Sequence, residues 1–211
     1  TRQIVINSMG QNFNDTFVVF DLETTGFSAE VDRIIEIGAV KIKNGEIVDN
    51  FSKFVNPKIP IPFRIEKLTG IEKLTGINDS MVMEAEPIEK ILPEFLEFCG
   101  DAVMVAHNAG FDTSFIINNA ERLGIKYDPT IMDTVLLAQF VIPNLHNYKL
   151  DTLCKHLAVS LENHHRAVDD AQATAYIYLK MVKMLEERDI FDLDKLNEAG
   201  KLDDEAIKKL H

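Results

Sequence analysis

The stretch Thr16 to Leu22, TFVVFDL, is apolar on both of its alternating faces. A strand with one wet face alternates apolar and polar residues, so this one needs cover on both sides. It therefore reads as a central strand of a layered α/β domain. Ile34 to Ile42 and Glu46 to Val55 read as two further strands, joined by KNGE, whose Asn-Gly pair signals a hairpin. Pro57, Pro60 and Pro62 end this run. Helical spacing then marks Pro87 to Phe98, Gly110 to Leu123, Val135 to Val141, Leu150 to Leu157 and the long segment Ala167 to Glu187. AVMVAH (102–107) and IMDT (131–134) read as short strands between them. The order predicts an αβα sandwich on a mixed, roughly five-stranded sheet, with an antiparallel meander first and parallel crossovers after it.

The 211 residues, 46% hydrophobic, suffice for one sizeable domain. Its expected bounds are 15–189, with 1–14 as an N-terminal extension. Residues 190–211, FDLDKLNEAGKLDDEAIKKLH from Phe191, read as a polar linker or tail with one short helix, leading toward the rest of a longer parent chain. The chain begins at Thr1 rather than Met, which fits a fragment. The apolar runs, such as Ala102 to Ala106, are too short for a membrane span, and no basic segment precedes an apolar leader. The expected location is the cytoplasm, with Cys99 and Cys154 reduced and buried. IEKLTGIEKLTGI (65–77) is a tandem hexapeptide, read as a local duplication of a surface segment. A net charge of −12 argues against a long nucleic-acid footprint. It leaves room for a short one, because two divalent cations would give phosphate a local attractor.

Carboxylates recur where strands end. Asp21 and Glu23 lie two apart at the end of the first central strand, hence on one face; a polar turn explains the same pair. In HNAGFD (107–112), Asn108 suits a helix N-cap and Asp112 the first helical turn. That strand end brings Asp112 to the same sheet edge as Asp21 and Glu23. HHRAVDDAQ (164–172) holds two His–Asp pairs at one spacing. On a helical wheel Ala167, Thr174, Ile177, Tyr178, Met181, Met184 and Leu185 fall within about 80° of Asp170. Asp169 turns instead toward Tyr176 and Lys180. Asp170 therefore faces the sheet, where a carboxylate is costly unless paired or bound to metal. His165, just ahead of the helix, can reach back to such a site, whereas His164 points elsewhere. Asp21, Glu23, Asp112 and Asp170 offer oxygen ligands that select Mg2+ or Mn2+. Two ions about 3.5–4 Å apart suit in-line phosphoryl displacement, and a histidine can take the proton of an attacking water.

FDLETTG, HNAGFD and HHRAVDDAQATA resemble, in order, the three exonuclease motifs of DnaQ-like, DEDDh-type 3′–5′ exonucleases. The resemblance covers roughly 15–187 and implies a ribonuclease-H-like fold. In the third motif the pattern His-x-x-x-x-Asp-Ala fits His165, Asp170 and Ala171, the pair that the wheel selects. With LTGI and KLDTLCKHL added, the chain is similar to the proofreading exonuclease domain of PolC-type DNA polymerase III alpha subunits. Its departure is the second IEKLTG copy; Leu74 to Ile77 is the better match to LTGI, because NDSMV follows it.

The resemblance implies that Asp21, Glu23 and Asp170 hold the catalytic Mg2+ or Mn2+. Asp21 would bridge to a second ion that Asp112 holds partly through water. It further implies His165 as general base, release of nucleoside 5′-monophosphates, and contacts to the terminal nucleotide from the Thr24 backbone, Ile77, His107 and Phe111. The implied partners are a single-stranded DNA 3′ end, the polymerase portion of the parent chain and replisome subunits. An RNA-trimming exonuclease of the same superfamily shares these motifs. A non-catalytic module binding a nucleic-acid end or a partner protein would be expected to lose one of the five residues, and none is lost.

Overall fold

The computed structural model describes residues 3–59, 77–161 and 166–209. The strands are β1 (Val5–Ile6), β2 (Phe17–Thr24), β3 (Ile34–Lys43), β4 (Glu46–Phe54), β5 (Val103–Ala106) and β6 (Ile131–Asp133). The described helices are α1 (Asp79–Met83), α2 (Ile88–Cys99), α3 (Ala109–Arg122), α4 (Thr134–Val141), α5 (Leu150–Leu157), α6 (Ala167–Glu187) and α7 (Leu193–Lys209). One six-stranded sheet has the order β1-β6-β5-β2-β3-β4. β2, β3 and β4 form the antiparallel meander, and β5 and β6 add in parallel beyond β2.

β2 sits centrally because both of its faces are apolar. Phe17 and Val19 belong to a core with Leu137, Leu153, Ile177 and Leu193, from α4, α5, α6 and α7. Val18, Phe20 and Leu22 belong to a second core with Leu92, Phe95 and Phe115, from α2 and α3. Burying one such side chain stabilises by about 1.5–3 kcal/mol, so both covers hold the strand in place. α6 lies on β2 and β3. Its Ala, Met, Leu, Lys and Glu content favours helix, and Asp169 and Asp170 sit in the first turn, where the helix dipole favours negative charge. A Cβ on Gly38 of β3 would overlap the backbone of Ala167 and Val168. Glycine there lets the helix start approach the sheet closely.

Three features differ from the sequence-based expectation. The sheet has six strands rather than about five, because Val5 and Ile6 pair antiparallel with Met132 and Ile131. Two residues carry too little periodicity to signal a strand. The segment 190–211 contains the 17-residue helix α7, longer than the short helix expected, with Ile190, Leu193 and Leu196 buried in the core. Its apolar residues are sparse and its polar face is broad, so composition alone resembles a linker. Asn197 donates to the Val5 carbonyl (2.8 Å) and accepts from its N–H (3.0 Å), tying the two flanks together. Third, α1 arises after Asn78, whose side chain accepts from Met81 N–H. The tandem hexapeptide, Ile77 apart, lies outside the described residues.

Candidate active site

Period two along β2 sends Phe17, Val19, Asp21 and Glu23 to the face that α6 covers. The inner pair packs in the core; the outer pair ends the row with carboxylates. Asp170, in the first turn of α6, is buried at 7% exposure. Carboxylate oxygens of Asp21, Glu23 and Asp170 all lie within 4.8 Å of one another. Asp169 is half-buried and stays outside this group, as the wheel separates the two aspartates.

Asp112 approaches from the opposite layer, in the first turn of α3, and is buried. Its charge repels Asp21, while the nearby Leu22 backbone favours its ionised form. The four acids expected at one sheet edge are thus three within ligand reach of each other, with Asp112 beside them.

Burial, then repulsion from Asp112, Glu23, Asp170 and Glu36, raises the Asp21 pKa well above the usual carboxylate range. Burial, then repulsion from Asp170, Glu36 and Asp112, pushes Glu23 up to about 9, against the pull of Arg166. Such a cluster holds protons or needs an outside cation to offset its charge. Three converging carboxylates form a hard oxygen set that suits Mg2+ or Mn2+. The donor chemistry therefore fits a divalent metal.

A further acid, Glu36 on β3, stands opposite Glu23 in the β2–β3 register and is 1% exposed. Its Oε2 accepts from Arg166 Nη2 (2.8 Å) and Nε (3.1 Å), and its Oε1 from the Ala167 N–H (2.6 Å). Motif spacing gives no hint of this, since the partners are 130 residues apart or more.

The turn after β2 is pinned by its own polar side chains. Thr25 N–H donates to the Arg33 carbonyl (2.8 Å), Arg33 N–H to Thr25 Oγ1 (2.9 Å), and Ser28 N–H to Asp32 Oδ2 (2.9 Å). Thr24 Oγ1 donates to the Gly26 carbonyl (2.7 Å). Phe27 follows, 80% exposed, with its ring 6.4 Å from that of half-buried Phe111.

His107 is engaged within the protein. Its Nε2 donates to the Tyr148 carbonyl (2.7 Å), leaving Nδ1 to accept from the Thr134 hydroxyl (2.8 Å). Burial lowers its pKa, consistent with the neutral ring. Ile77 is fully buried against Ile35 and Val82, so the structure does not bring it to an open surface. Asn108 occupies the N-cap position of α3, but in the left-handed region (φ 64) and without a side-chain cap bond. The acceptor is Asp133, which takes the N–H groups of Asn108 (3.3 Å), Ala109 (3.3 Å) and Val135 (2.8 Å), and so serves the starts of α3 and α4. An Asp ending a strand before the apolar run TVLL is the signal that finds it for α4. His165 and His164 lie outside the described residues. A cleft of about 1260 Å³ borders the site through His107 and Asn108 and also includes Thr113, Asp133 and Lys149. The converging acids do not line it, so their chemistry rather than this hollow marks the candidate site.

Comparison with known proteins gives a consistent result. The RNase_T family model, described as an exonuclease, matches residues 18–178. The chain is 51% identical over 208 residues to the PolC-type DNA polymerase III of Clostridium perfringens, covering 98% of this chain and 14% of that protein. It is 49% identical over 207 residues to the PolC-type enzyme of Caldanaerobacter subterraneus subsp. tengcongensis, again covering 98% and 14%. The chain thus spans about one seventh of the length of these relatives. Among solved structures, exonuclease X in complex with 5′-overhanging duplex DNA is similar in fold (TM-score 0.66, 24% identity, 87% of this chain and 99% of that one). So is the nuclease domain of 3′hExo, a DEDDh family member, bound to rAMP (TM-score 0.64, 20% identity, 81% and 93%).

Proposed function

The chain belongs to the RNase T exonuclease family, and on that footing we propose that it removes nucleotides from the 3′ end of single-stranded DNA. In this reading it is the proofreading domain of a PolC-type replicative polymerase, working in the cytoplasm. Residues 15–189 carry the catalytic residues, with 1–14 as an N-terminal extension, and 190–211, whose helix α7 packs on the same core, lead toward the rest of a longer chain. The partners are then the polymerase portion and other replisome subunits. The observation that carries the reading is the convergence of Asp21, Glu23 and Asp170 within 4.8 Å at the end of a central strand. The PolC-type relatives, matched along 98% of this chain, support the choice of substrate.

Asp21, Glu23 and Asp170 would hold a divalent cation, Mg2+ or Mn2+, and Asp112 beside them would help to hold a second. When bound, such a pair supplies positive charge at the phosphoryl oxygens as the transition state forms. His165 takes a proton from the attacking water, whose oxygen bonds to phosphorus. The bond from phosphorus to the preceding 3′ oxygen breaks, and that oxygen leaves on the shortened strand. The released nucleoside keeps the 5′-phosphate. The Thr24 backbone, Phe111 and the neutral His107 ring would face the terminal nucleotide, while Ile77, buried against Ile35 and Val82, would not. A footprint of a few nucleotides agrees with a net charge of −12.

The test compares DNA and RNA oligonucleotides of matched sequence, labelled at either end, with Mg2+ or Mn2+. Stepwise shortening of DNA from the 3′ end, with 5′-monophosphates as product, is expected. A strong preference for RNA turns the reading into an RNA-trimming exonuclease. Binding without cleavage of either turns it into a non-catalytic module.

A further inference from the structure

We propose that Glu36 and Arg166 act as one positioning device, a latch that sets where helix α6 begins and hence where Asp170 presents its carboxylate. The inference rests on the exonuclease reading above and adds two residues that touch neither metal nor substrate. Every part of the latch is accounted for by contacts within the chain. Both Glu36 oxygens are occupied, one by Arg166 Nε and Nη2 and the other by the Ala167 N–H at the first residue of α6. The guanidinium also lies over the Phe54 ring, 5.0 Å from its centroid. Phe54 is the cross-strand partner of Glu36 on β4, just as Glu23 is its partner on β2. Three adjacent strands thus fix the helix start.

Gly38 is an independent observation of the same fit. It lies two residues from Glu36, on the same face of β3, opposite Asp21 in register. A Cβ there would overlap the backbone of Ala167 and Val168, so the helix start is seated against bare backbone. Asp170 follows Arg166 by one helical turn, and the Asp170 N–H donates to the Arg166 carbonyl (3.0 Å). A displacement of Arg166 therefore moves Asp170 with it. His165 is joined to Arg166 by the next peptide bond. Arg166 also serves a second purpose: its charge offsets part of the repulsion that Asp170, Glu36 and Asp112 exert on Glu23. Groups that orient metal ligands in this way typically change affinity or turnover about 10–100-fold when removed.

The test uses the 211-residue chain with Glu36→Ala, Arg166→Ala and the double variant. Turnover and KM are measured on single-stranded DNA with Mn2+, Mn2+ affinity by calorimetry, and melting temperature without metal. The latch predicts that each single change lowers kcat about 10–100-fold and weakens Mn2+ binding, with KM for the oligonucleotide held within about threefold. The double variant should lose no more than the worse single, because the two residues act as a unit. Arg166→Lys, which keeps the charge and loses the fork, should recover part of the loss. Should Glu36→Ala fail to fold, Glu36→Gln and Arg166→Lys carry the same comparison.

Two results overturn the latch. One is a lowered melting temperature with kcat and Mn2+ affinity unchanged at 25 °C, which makes the pair a stabilising contact only. The other is a raised KM and a shallower salt dependence for Arg166→Ala with kcat unchanged, which makes Arg166 a phosphate contact. If the unsubstituted 211-residue chain cleaves nothing while the variants still weaken Mn2+ binding, the exonuclease reading fails and the latch stands. If the unsubstituted chain cleaves and the variants match it in kcat and Mn2+ affinity, the latch alone fails.

Discussion

Glu23 and Glu36 face each other across the β2–β3 ladder. Both are glutamates on the face that α6 covers; Glu36 is fully buried and Glu23 half-buried, and they differ most in their partners. Glu36 is saturated by Arg166 and the Ala167 N–H. Glu23, among the described residues, has no hydrogen-bond donor to its side chain and has Asp21 and Asp170 for company. The first carboxylate is matched by its own chain and serves structure. The second is left without such a match, which suits a cation from outside. A buried acid therefore becomes informative when the chain withholds its partner, and not merely because it is buried.

Short of losing a metal ligand, the largest expected effect concerns the base assigned to the cluster. His165→Ala should lower turnover about 10²–10⁴-fold, the usual range for a general base. His164→Ala and Asp169→Ala should change it little, as steady-state rates on labelled DNA will show. A crippled His164→Ala would move the site by one residue and break the contrast between the two His–Asp pairs.

Next is a difference in sign. Without metal, at neutral pH, Glu23→Gln should raise the melting temperature, because it removes an acid that the folded cluster can keep only by holding a proton. Glu36→Gln should lower it, because it leaves Arg166 without its counter-charge. Thermal melts in a chelator measure both. Shifts of the same sign would mean that the two glutamates are alike after all.

A smaller effect is expected from pH. The folded-state pKa of Glu23 lies near 9, against an ordinary value of 4.5. Asp21 and Asp112 are raised as well. The folded chain thus keeps protons that the unfolded chain has lost, so this contribution is full below about pH 4 and is lost as pH rises toward 9. The metal-free melting temperature should therefore fall across that window, at about 2–4 °C per kcal/mol lost for a domain of this size. Saturating Mn2+ should flatten the slope, since cations then take the place of protons. A metal-free melting temperature that rises steadily from pH 6 to 9 would argue against the raised pKa values.

Much of the fold and of the acid cluster was legible in the residues themselves. Leu150–Leu157 and Ala167–Glu187 form helices with the limits that periodicity gives, because local patterning and propensity agree there. The wheel placed Asp170 on the sheet side, where it is buried, since burial on a helix follows from its angle. Glu36 was not legible, because in IIEIGAV it is one polar residue in a strand and its partner comes 130 positions later. The same holds for Val5 and Ile6, whose strand exists only through Ile131 and Met132. Asn108 was the better N-cap by composition, yet Asp133, 25 residues on, reaches its N–H. Local rules read single elements well and miss contacts that only the assembled fold creates.

The central claim is that Asp21, Glu23 and Asp170 form a metal-dependent site for removing 3′ nucleotides. Its most direct test is Mn2+-dependent release of nucleoside 5′-monophosphate from 3′-labelled single-stranded DNA, with the unsubstituted chain and Asp170→Ala side by side. Release by the unsubstituted chain, and none detectable from a folded Asp170→Ala, is the predicted result. Equal release by both would contradict it.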